Sequence, residues 1–480
     1  MKRWSMTLLA ILLTFTALNV QSRGLHFGII SAVKDKVKEI VEVQEERIRQ
    51  EAILTISITA PADSAVVTGI ITIAAAASDH KGISKVEFYI DGTLKAQDTS
   101  SPYAYSWNTA QYSAGLHTIK AIAYDTDNQT ASDQHTVTSY SIASGWQNRL
   151  VDSVGGTASG TSLALDSNNN PQIAYAFANE DWTQSDLKYA QWTGSSWQVT
   201  TIDSSGAVGW WASLVLDSNN NPGIAYYDAT NSDLKYAKRT GASWEITTVD
   251  STGSLGSGTS LAFDSNNHPH ISYADYTKGY YNLKYAQWTG TSWSTSTVDT
   301  SVDVGWSTSL ALDSNNDPHI AYTDDVNNTV KYAHRTGSSW AIQTVNSTEV
   351  IDGHVSLALD TSNNPHIAYA AYGAFLQDLR YAHWNGSAWD ITSVDVDIFG
   401  WYVSLKLDRN NSPYIAYSND VSNNYSLKYA HMTGASWEIT TVDSTQSAGV
   451  SISLALDFSS HPRIAYCNEA GDLKYATWNP

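Results

Sequence analysis

From residue 143 onward the chain repeats itself seven times. The motif SLALDSNNNP recurs with its Asp at Asp166, Asp217, Asp264, Asp313, Asp360, Asp408 and Asp457, at spacings of 47 to 51 residues. Each unit reads as four short strands: SLALD, a Pro-x-Ile-Ala-Tyr segment, LKYA with one or two residues more, and SWxxxTVD. Four short strands in a unit of this length match a propeller blade, which buries its faces only against its neighbours.

The count predicts seven blades. The seventh unit stops at GDLKYATWNP and lacks its fourth strand. A matching segment, Trp146 to Asp152, stands ahead of the first unit and keeps the spacing from Trp to Asp of Trp197–Asp203 and Trp437–Asp443. It is expected to complete the last blade, closing the ring and removing free sheet edges. The Trp that opens each fourth strand (Trp146, Trp197, Trp244, Trp293, Trp340, Trp389 and Trp437) recurs in every unit, which makes it a residue of the repeat core.

Residues 1–22 read as a secretory signal peptide, with Lys2 and Arg3 before an apolar run too short for a membrane anchor. No later segment is apolar enough to span a membrane, so a secreted or cell-surface protein is expected. Residues 23–52 are a linker in which Val33, Val37, Ile40, Gln44 and Ile48 fall on one helical stripe. Such a helix serves as a spacer or as a small oligomerisation coil. Residues 53–142 alternate apolar and polar positions, with an Asp91-Gly92 hairpin signal, and predict an immunoglobulin-like sandwich. The whole chain is therefore expected to be all-β: signal peptide 1–22, linker 23–52, sandwich 53–142 and propeller 143–480.

Two connections in each repeat are uniform and two vary. The first-to-second turn and the third-to-fourth hairpin keep a constant length, whereas the other two change in sequence or length, and in a propeller these share one face. Variable loops on a rigid scaffold are where binding is expected. Three residues before the Ser of the first strand, units two, four and six carry Gly209-Trp210, Gly305-Trp306 and Gly400-Trp401; the others have Ser159, Ser257, Gly353 and Val450. Trp211 and Tyr402 follow two of these pairs, and Trp182, Tyr280, Tyr281, Tyr372 and Phe375 lie in the other variable loops. The aromatics suit stacking on sugar rings, with Asp303, Asp324, Asp325 and Asn327 as polar neighbours. The competing reading has the Trp trio packing between blades or plugging the channel. The candidate ligand-binding set is Trp210, Trp306, Trp401, Trp211, Tyr402, Trp182, Tyr280 and Tyr281.

The segments SITAPADSAVVTG, ISKVEFYIDG, SPYAYSW and GLHTIKAIAYDTDN resemble the bacterial Ig-like domains of exported proteins, which implies a spacer or stalk with Trp107 in its core. The motifs LDSNNNPHIAY and LKYAxWTGSSWxxxTVD resemble the repeats of sialidase-like, BNR-type propellers. That resemblance implies an Asp-box between the third and fourth strands. Thr193-Gly194-Ser195-Ser196-Trp197 keeps its Gly and Trp and lacks its Asp. It also implies an Arg triad, but the propeller's arginines (Arg149, Arg239, Arg335, Arg380, Arg409 and Arg463) fall in outer strands or a uniform turn. No catalytic residue is carried over.

Other chemistry is sparse. The Asp-x-Asn-x-Asn-Pro turn lacks the Gly and distal Glu of a calcium loop. His319 is expected opposite His334 and His366 opposite His383, pairs with no evident third metal ligand. Phosphate loops, nucleophile elbows and HExxH are absent, and no cofactor or metal is expected. The formal charge of −20 and the lack of a basic patch argue against nucleic acid. The single Cys467 excludes an intramolecular disulfide. The favoured reading is an exported, non-catalytic protein that binds a glycan or surface protein. A glycoside hydrolase or sialidase-like enzyme using loop carboxylates, and a structural cell-surface protein, are the alternatives.

Overall fold

The computed structural model describes residues 35–36, 38–43 and 54–479, apart from residues 68, 110–111, 113–114, 140–144, 154–156, 180–182, 347–349, 373–376, 399, 421–424 and 446. The expected signal peptide lies outside the described residues. In the linker, residues 35–36 and 38–43 are helical, and Ile40 and Val43 are exposed. No helix among the described residues is long and apolar enough to cross a membrane. The chain divides into two compact units, Met1–Ala143 and Ser144–Pro480.

The strands of the first unit form a three-stranded and a five-stranded sheet. The alternation along Ile83–Ile90 and Gly115–Asp125 sends Val86, Phe88, Ile90, Ile119 and Ala121 inward, where Trp107 is completely buried with them. Asp91 and Gly92 both adopt positive φ, which is what a two-residue hairpin turn of this twist demands.

The second unit consists of seven four-stranded antiparallel sheets. The seventh takes its fourth strand, Gly145–Asp152, from the start of the unit, in register with Leu473–Asn479, and Trp146 faces Trp478. The repeated residues are explained by bonds between consecutive sheets. The Ser of each first strand accepts the Leu N–H of the next: Leu214 from Ser162, Leu261 from Ser213, Leu310 from Ser260, Leu357 from Ser309, Leu405 from Ser356 and Leu454 from Ser404, at 2.9–3.0 Å. A seventh bond of 2.9 Å runs from Leu163 N–H to Ser453, joining the last sheet to the first.

The other repeat positions do similar work. Asp166 Oδ1 accepts the backbone N–H groups of Asn168 and Asn170, closing its own turn, and Asn169 between them has φ +61°. This carboxylate is occupied by its turn, which is why the Asp-x-Asn-x-Asn run has constant length. Farther out, the second-strand Tyr and third-strand Lys of one sheet converge on the terminal Asp of the preceding sheet. Tyr273 Oη donates to Asp250 at 2.8 Å and Lys284 Nζ lies 2.5 Å from the same oxygen. The arrangement recurs at Asp152, Asp203, Asp299, Asp395 and Asp443. The Lys of LKYA is therefore neutralised locally. The fourth-strand Trp residues are half-buried and pack against the repeat cores: each indole lies edge-on against a Tyr of the preceding sheet, as Trp244 does on Tyr189 at 5.2 Å.

Candidate functional site

What repeats is thus architectural, and the candidate site lies in what does not. The first strands enter their sheets through bulged segments, with register breaks at Trp210 and around Trp306. These segments bring Trp210, Trp211, Trp306, Trp401 and Tyr402, from sheets two, four and six, around one cavity of about 410 Å³. Trp401 is 46% exposed, while Trp210 and Trp306 are half-buried.

The alternation from sheet to sheet has a steric cause. Sheets one, three and five carry glycine where the next sheet brings a Trp backbone close. A Cβ on Gly160 would stand 3.2 Å from Trp211 N, one on Gly258 2.3 Å from Trp306 O, and one on Gly353 2.9 Å from Trp401 O. Two consecutive sheets with Gly-Trp would have no such gap to use. Trp211 itself has φ +50°, a conformation that disfavours bulky side chains by about 1–3 kcal/mol and that clusters at functional sites.

His354 joins this group without having been expected from the sequence. Its imidazole stacks 4.9 Å from the Tyr402 ring and lies 5.3 Å from Trp306, while the His354 backbone N–H donates to Trp401 O at 2.8 Å. Burial lowers its pKa to about 4, so the ring is neutral at physiological pH. The signal was available: His354 stands two residues before Ser356, as Trp211 and Tyr402 stand before Ser213 and Ser404. Hydroxyls of Thr161, Thr308 and Ser451 complete the collar but are bonded to one another's sheets or backbones. Among the described residues, the Trp306 and Trp401 indole N–H groups and the His354 ring have no hydrogen-bond partner in the protein, and no carboxylate, ammonium or guanidinium lines this cavity.

A second cavity of about 470 Å³ adjoins it, sharing Trp306 and Trp401 and adding Tyr281, Asn328 and Asp325. Of the expected polar neighbours, Asp325 alone lines a cavity here. Asp324 is buried, with Lys331 Nζ at 2.7 Å and Asn327 Nδ2 at 2.9 Å, so both of these are structural. Asp303 accepts the Tyr281 N–H at 3.0 Å and shapes the turn. Tyr280 lines neither cavity; Lys278 lies 6.0 Å from its ring. Trp182 and Phe375 lie outside the described residues, as does the Tyr372 side chain.

The arginines sit elsewhere. Arg239 and Arg335 donate to Gln191 and Gln287, Arg463 pairs with Asp457, Arg380 with Asp378, and Arg409 stacks over Phe458, while Arg149 lines a separate hollow. The histidine pairs form in the expected register, His319 opposite His334 and His366 opposite His383, with rings 5.6 Å apart. His319 and His366 instead use Nδ1 on the hydroxyls of Tyr332 and Tyr381.

Residues 55–121 match the bacterial Ig domain family, so the first unit carries an Ig domain of that type. No curated protein matches the sequence. Several solved structures resemble the chain at low identity. A protein of unknown function from Dyadobacter fermentans is 10% identical with a TM-score of 0.45, covering 70% of this chain and 100% of that one. An ulvan lyase of a polysaccharide lyase family is 13% identical with a TM-score of 0.48, covering 69% and 94%. The NanB sialidase of Streptococcus pneumoniae is 10% identical with a TM-score of 0.39, covering 89% and 92%.

Proposed function

We propose that this is an exported, non-catalytic binding protein whose second unit is a closed seven-bladed β-propeller that holds an uncharged saccharide in the tryptophan-lined cavity. Residues 53–142 act as an Ig-like spacer. The seven Ser–Leu bonds, the last returning from sheet one to sheet seven, support the closure.

The observation that carries the ligand class is the lining: five aromatic side chains and a neutral imidazole, with indole donors and no ionised group. Pyranose C–H faces stack on such rings, and indole N–H groups suit hydroxyl oxygens. A sialic acid or uronate carboxylate would lose its hydration there without meeting a cation. Canonical glycoside hydrolysis needs two carboxyl groups about 5–9.5 Å apart. The described lining of both cavities offers Asp325 alone, which favours binding over turnover.

Calorimetry of the full chain with neutral oligosaccharides (cello-, manno- and xylo-oligosaccharides) tests this. Replacing Trp210, Trp306 and Trp401 together by Ala is expected to weaken binding by about 100-fold, from roughly 1 kcal/mol per stacked ring. Wild-type affinity in the triple variant would overturn the assignment.

A further inference from the structure

A cavity of about 350 Å³ opens between the second and third sheets, at the opposite end of the first strand Val208–Leu216 from the Trp210 site. The seven steps along the bulged strand from Trp210 to Asp217 separate the two by at most about 23 Å. It arises where the repeat breaks its own rule. The residue after the second-strand Pro is Gln172, His270, His319, His366, Tyr414 or Arg463 in six sheets and Gly223 in the second. In four of the six, that side chain bonds the third-strand Tyr hydroxyl, as Gln172 does to Tyr189. Gly223 offers nothing, so the Tyr236 hydroxyl has no protein partner among the described residues.

A second exchange accompanies the first. Phe263 stands where the other first strands end in Leu, and its ring reaches into the vacated space: a Cβ on Gly223 would lie 2.7 Å from Phe263 Cζ and 2.7 Å from Tyr236 Oη. Trp288 and Trp293, with centroids 5.6 Å apart, form the facing wall, and Trp293 packs edge-on against Tyr236 at 5.5 Å. Exposed Lys238 and Glu245, opposite each other in register, add charges of opposite sign to the lining, and the Asp217 carboxylate beside them is taken up by Asn219 and Asn221 of its own turn.

We infer that this hollow is a second binding site, taking a single neutral hexopyranose unit. Three aromatic rings offer surface to its C–H face, and Tyr236 Oη is free to make with a sugar hydroxyl the hydrogen bond that its counterparts in four other sheets make with the side chain after the second-strand Pro. The volume falls in the ordinary range for small-molecule sites, about 300–1,000 Å³. Lys238 and Glu245 offer one donor and one acceptor to hydroxyls at the mouth. The inference stands independently of the first cavity's ligand.

The test is saturation-transfer NMR on the full chain, with methyl β-D-glucopyranoside and methyl α-D-mannopyranoside as probes, in the Trp210→Ala/Trp306→Ala/Trp401→Ala background. At least one probe is expected to keep a signal there. Adding Gly223→Gln with Phe263→Leu restores the pattern of the first sheet, fills the hollow and should abolish that signal without lowering the unfolding temperature. Adding Tyr236→Phe should weaken binding by roughly threefold to tenfold, the worth of one hydrogen bond, and decides the matter if the double exchange fails to fold. No signal in the triple variant, a signal indifferent to these changes, or binding of leucine amide in place of both glycosides would overturn the inference. A triple variant that keeps the whole wild-type signal, lost on filling the hollow, would sink the first-cavity reading alone.

Discussion

The steric explanation for the alternating tryptophans is open to a sharp perturbation, Gly258→Ala. Gly258 has φ +57°, and its added Cβ would lie 2.3 Å from Trp306 O, a backbone atom that moves only with its strand. Two penalties result. An L-residue in the left-handed region is disfavoured by about 1–2 kcal/mol. Forcing the carbonyl outward is an overpacking strain of about 1–3 kcal/mol. The sum is about 2–5 kcal/mol. Gly241→Ala is the matched control: its φ is +64°, and nothing lies within 4 Å of its Cβ, so only the first penalty applies. Urea unfolding followed by tryptophan fluorescence reports the comparison, because of the described tryptophans only Trp107 lies in the first unit. Equal slopes in denaturant would confirm that the difference is in stability. Gly258→Ala should be the more destabilised by about 1–3 kcal/mol and should also bind saccharide more weakly, since Trp306 must shift. Equal destabilisation of the two variants would refute the claim that sheets one, three and five make room for the tryptophans of the sheets that follow them.

Other expectations concern protonation. Burial acts to raise the pKa of Asp250, but hydrogen bonds from Lys284, Thr252 and Tyr273 outweigh it and hold the carboxyl below its ordinary value; Asp203, Asp299 and Asp443 behave alike. A depressed folded pKa contributes stability that is present above the unfolded value, about 3.9, and lost as pH falls through the folded one. Asp250→Asn should therefore destabilise by about 1.5–3 kcal/mol at neutral pH, with a gap that narrows in acid; a gap constant with pH in unfolding titrations would contradict this. With its pKa lowered to about 4 by burial, His354 is neutral through the physiological range, and its protonation would put an uncompensated charge among the aromatics. Saccharide affinity measured by calorimetry should be flat from neutral pH to about 5.5 and fall towards pH 4. An inflection near 6.5 that His354→Gln removes would show instead an ordinary, solvated imidazole.

The architecture was legible because each repeated residue has one structural duty. Ser-Leu bonds to the neighbouring first strand, Asp closes a turn, and Tyr, Lys and Asp meet across sheet boundaries. The lone fourth strand ahead of the repeats pointed to its own partner, Leu473–Asn479. The Gly-Trp alternation was also visible, but its cause was not, since the space is made by Gly258 and Gly353 in the preceding units. Loop polarity misled at Asp324 and Asn327: Asp324 ends the strand Pro318–Asp324 and Asn327 follows in the turn, where the Lys331 ammonium and a mutual bond absorb them. Tyr280 and Tyr281 look equivalent as letters, and of the two it is Tyr281 that lines the cavity beside Trp306 and Trp401. Gly223 carries no signal of its own in the sequence, because its effect depends on Phe263 and Tyr236 on other strands.

The central claim is that the tryptophan-lined cavity recognises an uncharged saccharide. A printed array carrying neutral, sialylated and uronate-containing glycans, probed with the full chain, tests it most directly. The account predicts binding to a set of neutral glycans, undiminished by high salt because no ion pair contributes. Binding confined to sialylated or uronate-containing glycans, or binding that salt abolishes, would contradict it.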